Sequence, residues 1–180
     1  FKHIFSTNHF YTEAPNNQWT NGFWTGQLWL AYECSGDPEM KRTALAQTQS
    51  FRYRIDHQIE TDTHDLGFLY TPSCVAAWKL TGSEEAKETA IKAARRLLER
   101  FHEKGQFLQA WGKPDEPGNY RLIIDCLLNL PLLYWASEVT GDRIYREKAE
   151  AHVHTALSVL IRPDSSAYHT YYFDPETGKP

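Results

Sequence analysis

Val75-Ala76-Ala77-Trp78-Lys79-Leu80-Thr81-Gly82-Ser83-Glu84-Glu85-Ala86-Lys87-Glu88-Thr89-Ala90-Ile91-Lys92-Ala93-Ala94-Arg95-Arg96-Leu97-Leu98 decides the fold. An apolar run stops at Thr81-Gly82-Ser83, and a second run follows in which Ala86, Ala90, Ala93, Ala94, Leu97, Leu98 and, just beyond, Phe101 recur at helical spacing with Glu and Lys opposite. Glycine suits the left-handed position just past a helix end, and serine can cap the next helix. The stretch therefore reads as a helical hairpin, an inner helix apolar on most faces covered by an amphipathic outer one.

The same grammar occurs twice more. Ser35-Gly36-Asp37 separates Phe23–Glu33 from a charged segment of roughly Glu39–Arg54, with Pro38 in the next helix's first turn. Thr140-Gly141-Asp142 separates Ile123–Val139 from Arg143–Leu160. The middle hairpin reads as Phe68–Leu80 followed by Glu84–Glu103. Strand signals are almost absent apart from Tyr168–Phe173. Hairpins repeating every 50 to 60 residues or so suggest an α/α toroid, whose six-hairpin ring needs on the order of 330 residues. The expected fold class is thus all-α, an (α/α)6 toroid or barrel. Residues 1–180 hold three hairpins, half of a ring, and form one partial catalytic domain continued beyond its C-terminal side and incomplete at its N-terminus. A self-contained six-helix bundle is the alternative.

In each repeat a polar segment precedes the inner helix: Pro15–Gly22, Thr61–Gly67 and Ala110–Arg121. Parallel inner helices would gather these loops at one mouth, bringing Trp19, Asp65, Trp111 and Asp125 together. Asp125 stands in Ile123-Ile124-Asp125-Cys126-Leu127-Leu128, read as an apolar helical run. An ionisable group there must be paired, protonated or put to use, and desolvation raises a carboxyl's pKa toward the range of a proton donor. The bland alternative is a helix N-cap satisfied by its own backbone or by Arg121.

The chain is 41% hydrophobic and carries 6 Trp, 10 Tyr and 9 Phe, side chains whose flat faces suit both cores and the C–H faces of sugars. A net charge of −4 offers no basic field for nucleic acid or an anionic membrane, and no apolar run reaches the roughly 20 residues of a membrane-spanning helix. Cys34, Cys74 and Cys126 read as buried reduced thiols in helices, which points to a cytoplasmic protein. Phe1 is not an initiator methionine, and no signal peptide is visible. His152 and His154 read as solvated surface, while His3, His9, His57 and His102 show no ligand spacing. Asp62, His64 and Asp65 mimic a metal site but lack further converging ligands. Asn129 and Pro131 suggest a kink in the third inner helix.

Five stretches occur in the order found in glycoside hydrolase family 88: Trp19-Thr20-Asn21-Gly22-Phe23-Trp24-Thr25-Gly26, His64-Asp65-Leu66-Gly67-Phe68-Leu69-Tyr70, Gln109-Ala110-Trp111-Gly112, Arg121-Leu122-Ile123-Ile124-Asp125-Cys126-Leu127-Leu128-Asn129 and His169-Thr170-Tyr171-Tyr172-Phe173-Asp174-Pro175-Glu176-Thr177-Gly178. On these the chain resembles the unsaturated glucuronyl hydrolases of that family. The resemblance implies an (α/α)6 barrel in a protein about twice as long, and hydration of the C4=C5 double bond of a terminal Δ4,5-unsaturated uronic acid. Asp125 matches the aspartate doing general acid and base work, and Asp65 a second essential aspartate that orients the pyranose hydroxyls. Trp19, Trp111, His169 and His64 match substrate-binding positions. No metal or organic cofactor is implied, and the partner is an unsaturated uronic-acid-terminated di- or oligosaccharide. Gln18 and Thr63 depart from the family pattern, and the residues that hold the uronate carboxylate fall in the other half, so the fragment alone is expected to be inactive. Two rival readings are an unsaturated rhamnogalacturonyl hydrolase resembling family 105 and a non-catalytic helical toroid that binds ligands.

Overall fold

The computed structural model describes residues 1–114 and 116–179. The chain divides into two compact units, residues 1–61 with 68–93, and residues 62–67 with 94–180.

The first unit opens with an antiparallel hairpin, β1 (Lys2–Thr7) and β2 (Phe10–Glu13). Its two turn residues, Asn8 and His9, both have positive φ, at 51° and 65°. That is the geometry of a tight hairpin whose twist matches its strands. The sequence reading missed it because neither strand alternates cleanly and most of the hairpin is exposed. Helix α1 (Asn21–Ser35) follows and ends at Gly36, where φ is 69° and the N–H returns to Tyr32 O at 2.8 Å. Helix α2 (Pro38–Asp56) starts from Asp37, whose carboxylate accepts the Glu39 N–H at 2.8 Å. Both are as the hairpin grammar predicts. One expectation for α1 fails: Leu28 and Trp29 are buried, but Leu30 is 61% and Phe23 41% exposed, so this helix is not covered all round among the described residues.

The second inner helix is continuous but not uniform. Helix α3 (Leu66–Tyr70) passes through a π-helical turn, Thr71–Val75, into α4 (Ala76–Thr81). Pro72 explains the turn, since proline has no N–H for the carbonyl four residues back and its ring crowds that oxygen. That carbonyl belongs to Phe68, and Gly22 of α1 lies against it. A Cβ on Gly22 would sit 2.0 Å from Phe68 O and 2.7 Å from Leu69 Cα, and one on Gly26 would sit 2.8 Å from Pro72 Cβ. The two glycines, one helical turn apart, let α1 approach the inner helix backbone to backbone. Gly22→Ala is therefore expected to lower stability by about 1–3 kcal/mol, the usual range for overpacking. A denaturant unfolding curve with an unchanged midpoint would refute that close approach.

Helix α5 (Glu84–Leu98) begins after Gly82, at φ 71°, and ends at Leu98, short of the expected Glu103. The chain then enters the second unit's hairpin, β3 (Phe101–His102) and β4 (Phe107–Leu108). Strand β5 (Arg121–Ile123) pairs antiparallel with β6 (Thr170–Tyr172) in the register Arg121 to Tyr172, Leu122 to Tyr171 and Ile123 to Thr170. Helices α6 (Pro131–Thr140) and α7 (Ile144–Leu160) pack as the third hairpin, with Gly141 left-handed at φ 75°. Phe107, Tyr120, Leu122, Ala156, Leu160 and Phe173 form the core of this unit, with the Phe107 and Phe173 rings stacked at 4.3 Å.

Here the helical reading needs its main correction. Residues 123–130 are not an inner helix: Ile123 ends a strand, Ile124–Leu128 form a 3-10 turn, and the helix starts at Pro131. Proline fits a helix's first turn, so the helix opens at Pro131, and the pairing with β6 holds Ile123 extended. The helical class stands, with three short two-stranded sheets added to it among the described residues. Cys34 is exposed, against expectation, while Cys74 and Cys126 are buried. No helix among the described residues is long and apolar enough to cross a membrane.

Candidate active site

The site is laid out on short extended segments of the second unit joined by backbone hydrogen bonds. His64 N–H donates to Ala110 O at 2.8 Å, and Ala110 N–H to Arg121 O at 3.0 Å. Thr63 bridges Trp111, and Ile124 N–H donates to His169 O at 3.0 Å. These bonds bring positions 63–65, 110–111, 121–125 and 169–172 into one place, though the sequence scatters them over more than a hundred residues.

His64, 1% exposed, is the hub. Its Nε2 lies 3.3 Å from Asp65 Oδ1 and 3.3 Å from Asp125 Oδ1. Ionised carboxylates only accept, so a nitrogen shared by two of them carries the proton. Burial opposes a charge on this imidazole, but the Cys126 sulfur and the Asp65 carboxylate outweigh it and hold His64 well above its usual range. Burial likewise opposes a Cys126 thiolate, yet the His152 and His64 imidazoles beside it bring the thiol down.

The two aspartates differ in environment. Asp65 has a side chain 16% exposed, and its Oδ2 takes the Thr63 hydroxyl at 2.7 Å. Thr63, where the sequence departs from the family pattern, thus serves to fix that carboxylate. Asp125 has a side chain 41% exposed, with Oδ1 buried against His64. The apolar helical cradle expected for it is absent, because the residue stands on a turn at the end of a strand. Nor does Arg121 pair with it. The Arg121 guanidinium donates to Gly118 O at 3.2 Å and lies 4.2 Å from the centre of the Trp111 ring, with Tyr172 at 5.7 Å.

Trp111, 48% exposed, is consequently an open aromatic face backed by a cation. Its loop is held from within. Gln109 Nε2 donates to the carbonyls of Trp111, Gly112 and Lys113 at 3.2, 3.3 and 3.2 Å, and Arg100 donates to Gln109 O and Gly112 O at 2.9 and 3.0 Å. Burial lowers the Arg100 guanidinium to about 10. His169 is exposed, its Nδ1 2.7 Å from Thr170 Oγ1, and its main chain adjoins Ile124. Trp19 belongs to the first unit, where it packs on Phe23 and Phe68 with ring centres 6.4 and 5.9 Å apart. Buried Arg54 secures the loop before it by donating to Asn16 Oδ1 and Gln18 O at 3.1 and 3.0 Å.

The grouping of Asp62 with His64 and Asp65 does not hold, since Asp62 pairs with Arg96 at 2.5 Å. The converging set is His64, Asp65 and Asp125, close enough together to hold a cation. A cation held there would take the place of a proton on His64 Nε2. The sequence reading also missed His152, which is fully buried rather than solvated. The signal was available: Tyr145, Ala149, His152, Ala156 and Leu160 are the buried residues of α7 and recur at helical spacing.

A family model described as Glycosyl Hydrolase Family 88 matches residues 2–179. The unsaturated chondroitin disaccharide hydrolase of Streptococcus pyogenes serotype M1 is 55% identical over 94% of this chain and 43% of its own length. A crystal structure of unsaturated glucuronyl hydrolase from Streptococcus agalactiae superposes with a TM-score of 0.97 at 51% identity, covering 100% of this chain and 45% of that one. An Asp→Asn variant of that enzyme, complexed with dGlcA-GalNAc6S, matches at a TM-score of 0.83 and 45% identity over 100% of this chain and 42% of that one. A second Asp→Asn variant is altered 60 residues earlier. The chain spans less than half the length of the curated relatives it matches. The α/α barrel class expected from the hairpin repeat is also the class of these structures. With nearly every residue from 2 to 179 accounted for by one family model, the chain belongs to glycosyl hydrolase family 88.

Proposed function

We propose that the protein is an unsaturated glucuronyl hydrolase that hydrates the C4=C5 double bond of the terminal unsaturated uronic acid in glycosaminoglycan oligosaccharides. One observation carries the reading: two aspartates far apart in sequence meet on a single buried imidazole nitrogen, each 3.3 Å from it. The relatives support the substrate class, being named for unsaturated chondroitin disaccharide and glucuronyl substrates. The spacing of the two altered aspartates in the S. agalactiae enzyme, which equals that of Asp65 and Asp125, supports the choice of these two carboxylates.

In this scheme Asp125 commits one oxygen to His64 and keeps the other open. The open oxygen takes a proton from the incoming water and delivers one to C4, while the water oxygen bonds to C5. The hemiketal opens to a ketone at C5, and the hemiacetal left at C1 expels the neighbouring sugar. No proton is gained or lost by the protein over the cycle. Asp65, steadied by Thr63 and His64, stays charged to favour the positive character that develops at C5 as C4 is protonated. Trp111, with Arg121 behind it, gives the sugar an apolar platform. Trp19 and His169 are assigned to substrate contact on the family resemblance alone, and a cytoplasmic location is proposed only from the sequence reading.

The assay is the loss of ultraviolet absorbance when the full-length gene product meets an unsaturated chondroitin disaccharide. Decay with that sugar supports the reading. Decay only with unsaturated rhamnogalacturonan fragments, or with neither, refutes it.

A further inference from the structure

Behind the two carboxylates lies a line of buried groups for which the chemistry above has no use. His152 on α7 and Cys126 in the 3-10 turn are both fully buried. The Leu108 backbone N–H donates to His152 Nδ1 at 2.9 Å, so that nitrogen is bare and a neutral His152 carries its proton on Nε2. This Nε2 has no nitrogen or oxygen partner, and the polar neighbour left to it is the Cys126 sulfur. The sulfur also meets the His64 ring. His64 Nδ1 is again buried without a nitrogen or oxygen partner, its Nε2 being committed to Asp65 and Asp125. Buried polar atoms left over in this way call for an explanation, and here two of them flank one sulfur.

We propose that Cys126 and His152 are positioning residues for the hydration: the His152 N–H fixes the sulfur, and the sulfur holds the His64 ring so that its Nε2–H lies across both carboxylates. The role rests on the reading of Asp125 given above. A single proton is shared along the Cys126–His64 contact. It sits either on sulfur, donated to Nδ1, or on Nδ1, donated to a thiolate, and passing between them breaks one S–H bond and forms one N–H bond. The hydrogen bond from His152 favours the second arrangement, which makes His64 an imidazolium. The groups facing His64 are Asp65 on its own segment, Asp125 and Cys126 on the turn, and His152 behind the sulfur; Arg100 is the nearby fixed cation, felt by Cys126 and Asp65.

The sign of the effect follows. A raised imidazole is protonated at low pH and loses its second proton as pH climbs through the raised value. Serine in place of Cys126 keeps a hydroxyl for Nδ1 but cannot ionise, so His64 should lose that proton at lower pH. Histidine-labelled NMR titrations of the full-length protein and of Cys126→Ser, alongside pH profiles of kcat, test this. The expected result is a His64 midpoint lowered by about one pH unit or more, with the alkaline limb of kcat moving down by the same amount. His152→Gln, which keeps a donor near the Nε2 position, should preserve the limb. His152→Asn, which keeps an acceptor for Leu108 but falls short of the sulfur, should move it as Cys126→Ser does, and this pair decides the matter if Cys126→Ser does not fold. Equal His64 midpoints overturn the proposal. So does a rate loss uniform across pH with unmoved limbs, the mark of packing alone. A parent protein inactive on the sugar would remove the positioning role along with the hydrolase reading, whereas the NMR titration fails or succeeds independently of turnover.

Discussion

Replacing Asp125 with asparagine lowers kcat on an unsaturated chondroitin disaccharide by about 10³-fold, within the 10² to 10⁴ that a positioned acid/base group supplies. The substitution is nearly isosteric, and an amide oxygen can take the place of Asp125 Oδ1, 3.3 Å from His64 Nε2. The ring, Asp65 and the Trp111 platform are thus left in place, and only the capacity to take a proton from water and return it to carbon is lost. KM is expected to change by less than about fivefold, since the lost interaction is made in the transition state. Steady-state kinetics on the full-length protein settle the matter. A variant retaining a tenth or more of the wild-type kcat would remove Asp125 from the mechanism.

Gly67→Ala has the second largest expected effect, through a residue that touches no sugar. A Cβ there would lie 2.3 Å from Asn129 Cα, 2.4 Å from its carbonyl oxygen and 2.7 Å from its carbonyl carbon. All three are backbone atoms, so no rotamer relieves the clash. Gly67 follows the His64-Asp65 pair by two residues, and Asn129 closes the turn that carries Asp125 and Cys126. This glycine therefore sets how closely the two aspartates approach, and separating their segments pulls the carboxylates off the shared nitrogen. A displacement near 1 Å costs roughly 10²-fold in rate, and the overpacking itself costs about 1–3 kcal/mol. Kinetics and thermal unfolding measured on one preparation separate the two effects. Gly118→Ala is the control, because a Cβ at Gly118 meets nothing within 4 Å. Unchanged kcat in Gly67→Ala would mean that the aspartates are spaced by something else.

Much of this molecule was legible along the chain. The three Gly-centred stops fixed the hairpins because a left-handed residue ending one helix and a cap starting the next are local events, settled by residues that touch within a turn. Gly36, Gly82 and Gly141 all take the left-handed conformation anticipated for them. Asp65, Trp111 and Asp125 were likewise singled out by their residue type and surroundings, and the structure gathers them in one unit with His64. His152 was misread for a different reason: its pairing with His154 drew attention to metal geometry, while its place on the buried stripe of α7 was the informative fact.

The amino-acid sequence by itself determined the helical hairpins, the family and the identity of the two carboxylates, because periodicity and punctuation act over a few residues. Only the tertiary structure decided that Asp125 stands on a turn after a strand, half open to solvent, and not inside an apolar helix. That outcome depends on β6 pairing with β5 from nearly fifty residues downstream, and on Gly67 admitting the Asn129 backbone. Neither contact leaves a mark in the residues flanking Asp125, whose apolar neighbours suit a buried strand as well as a helix.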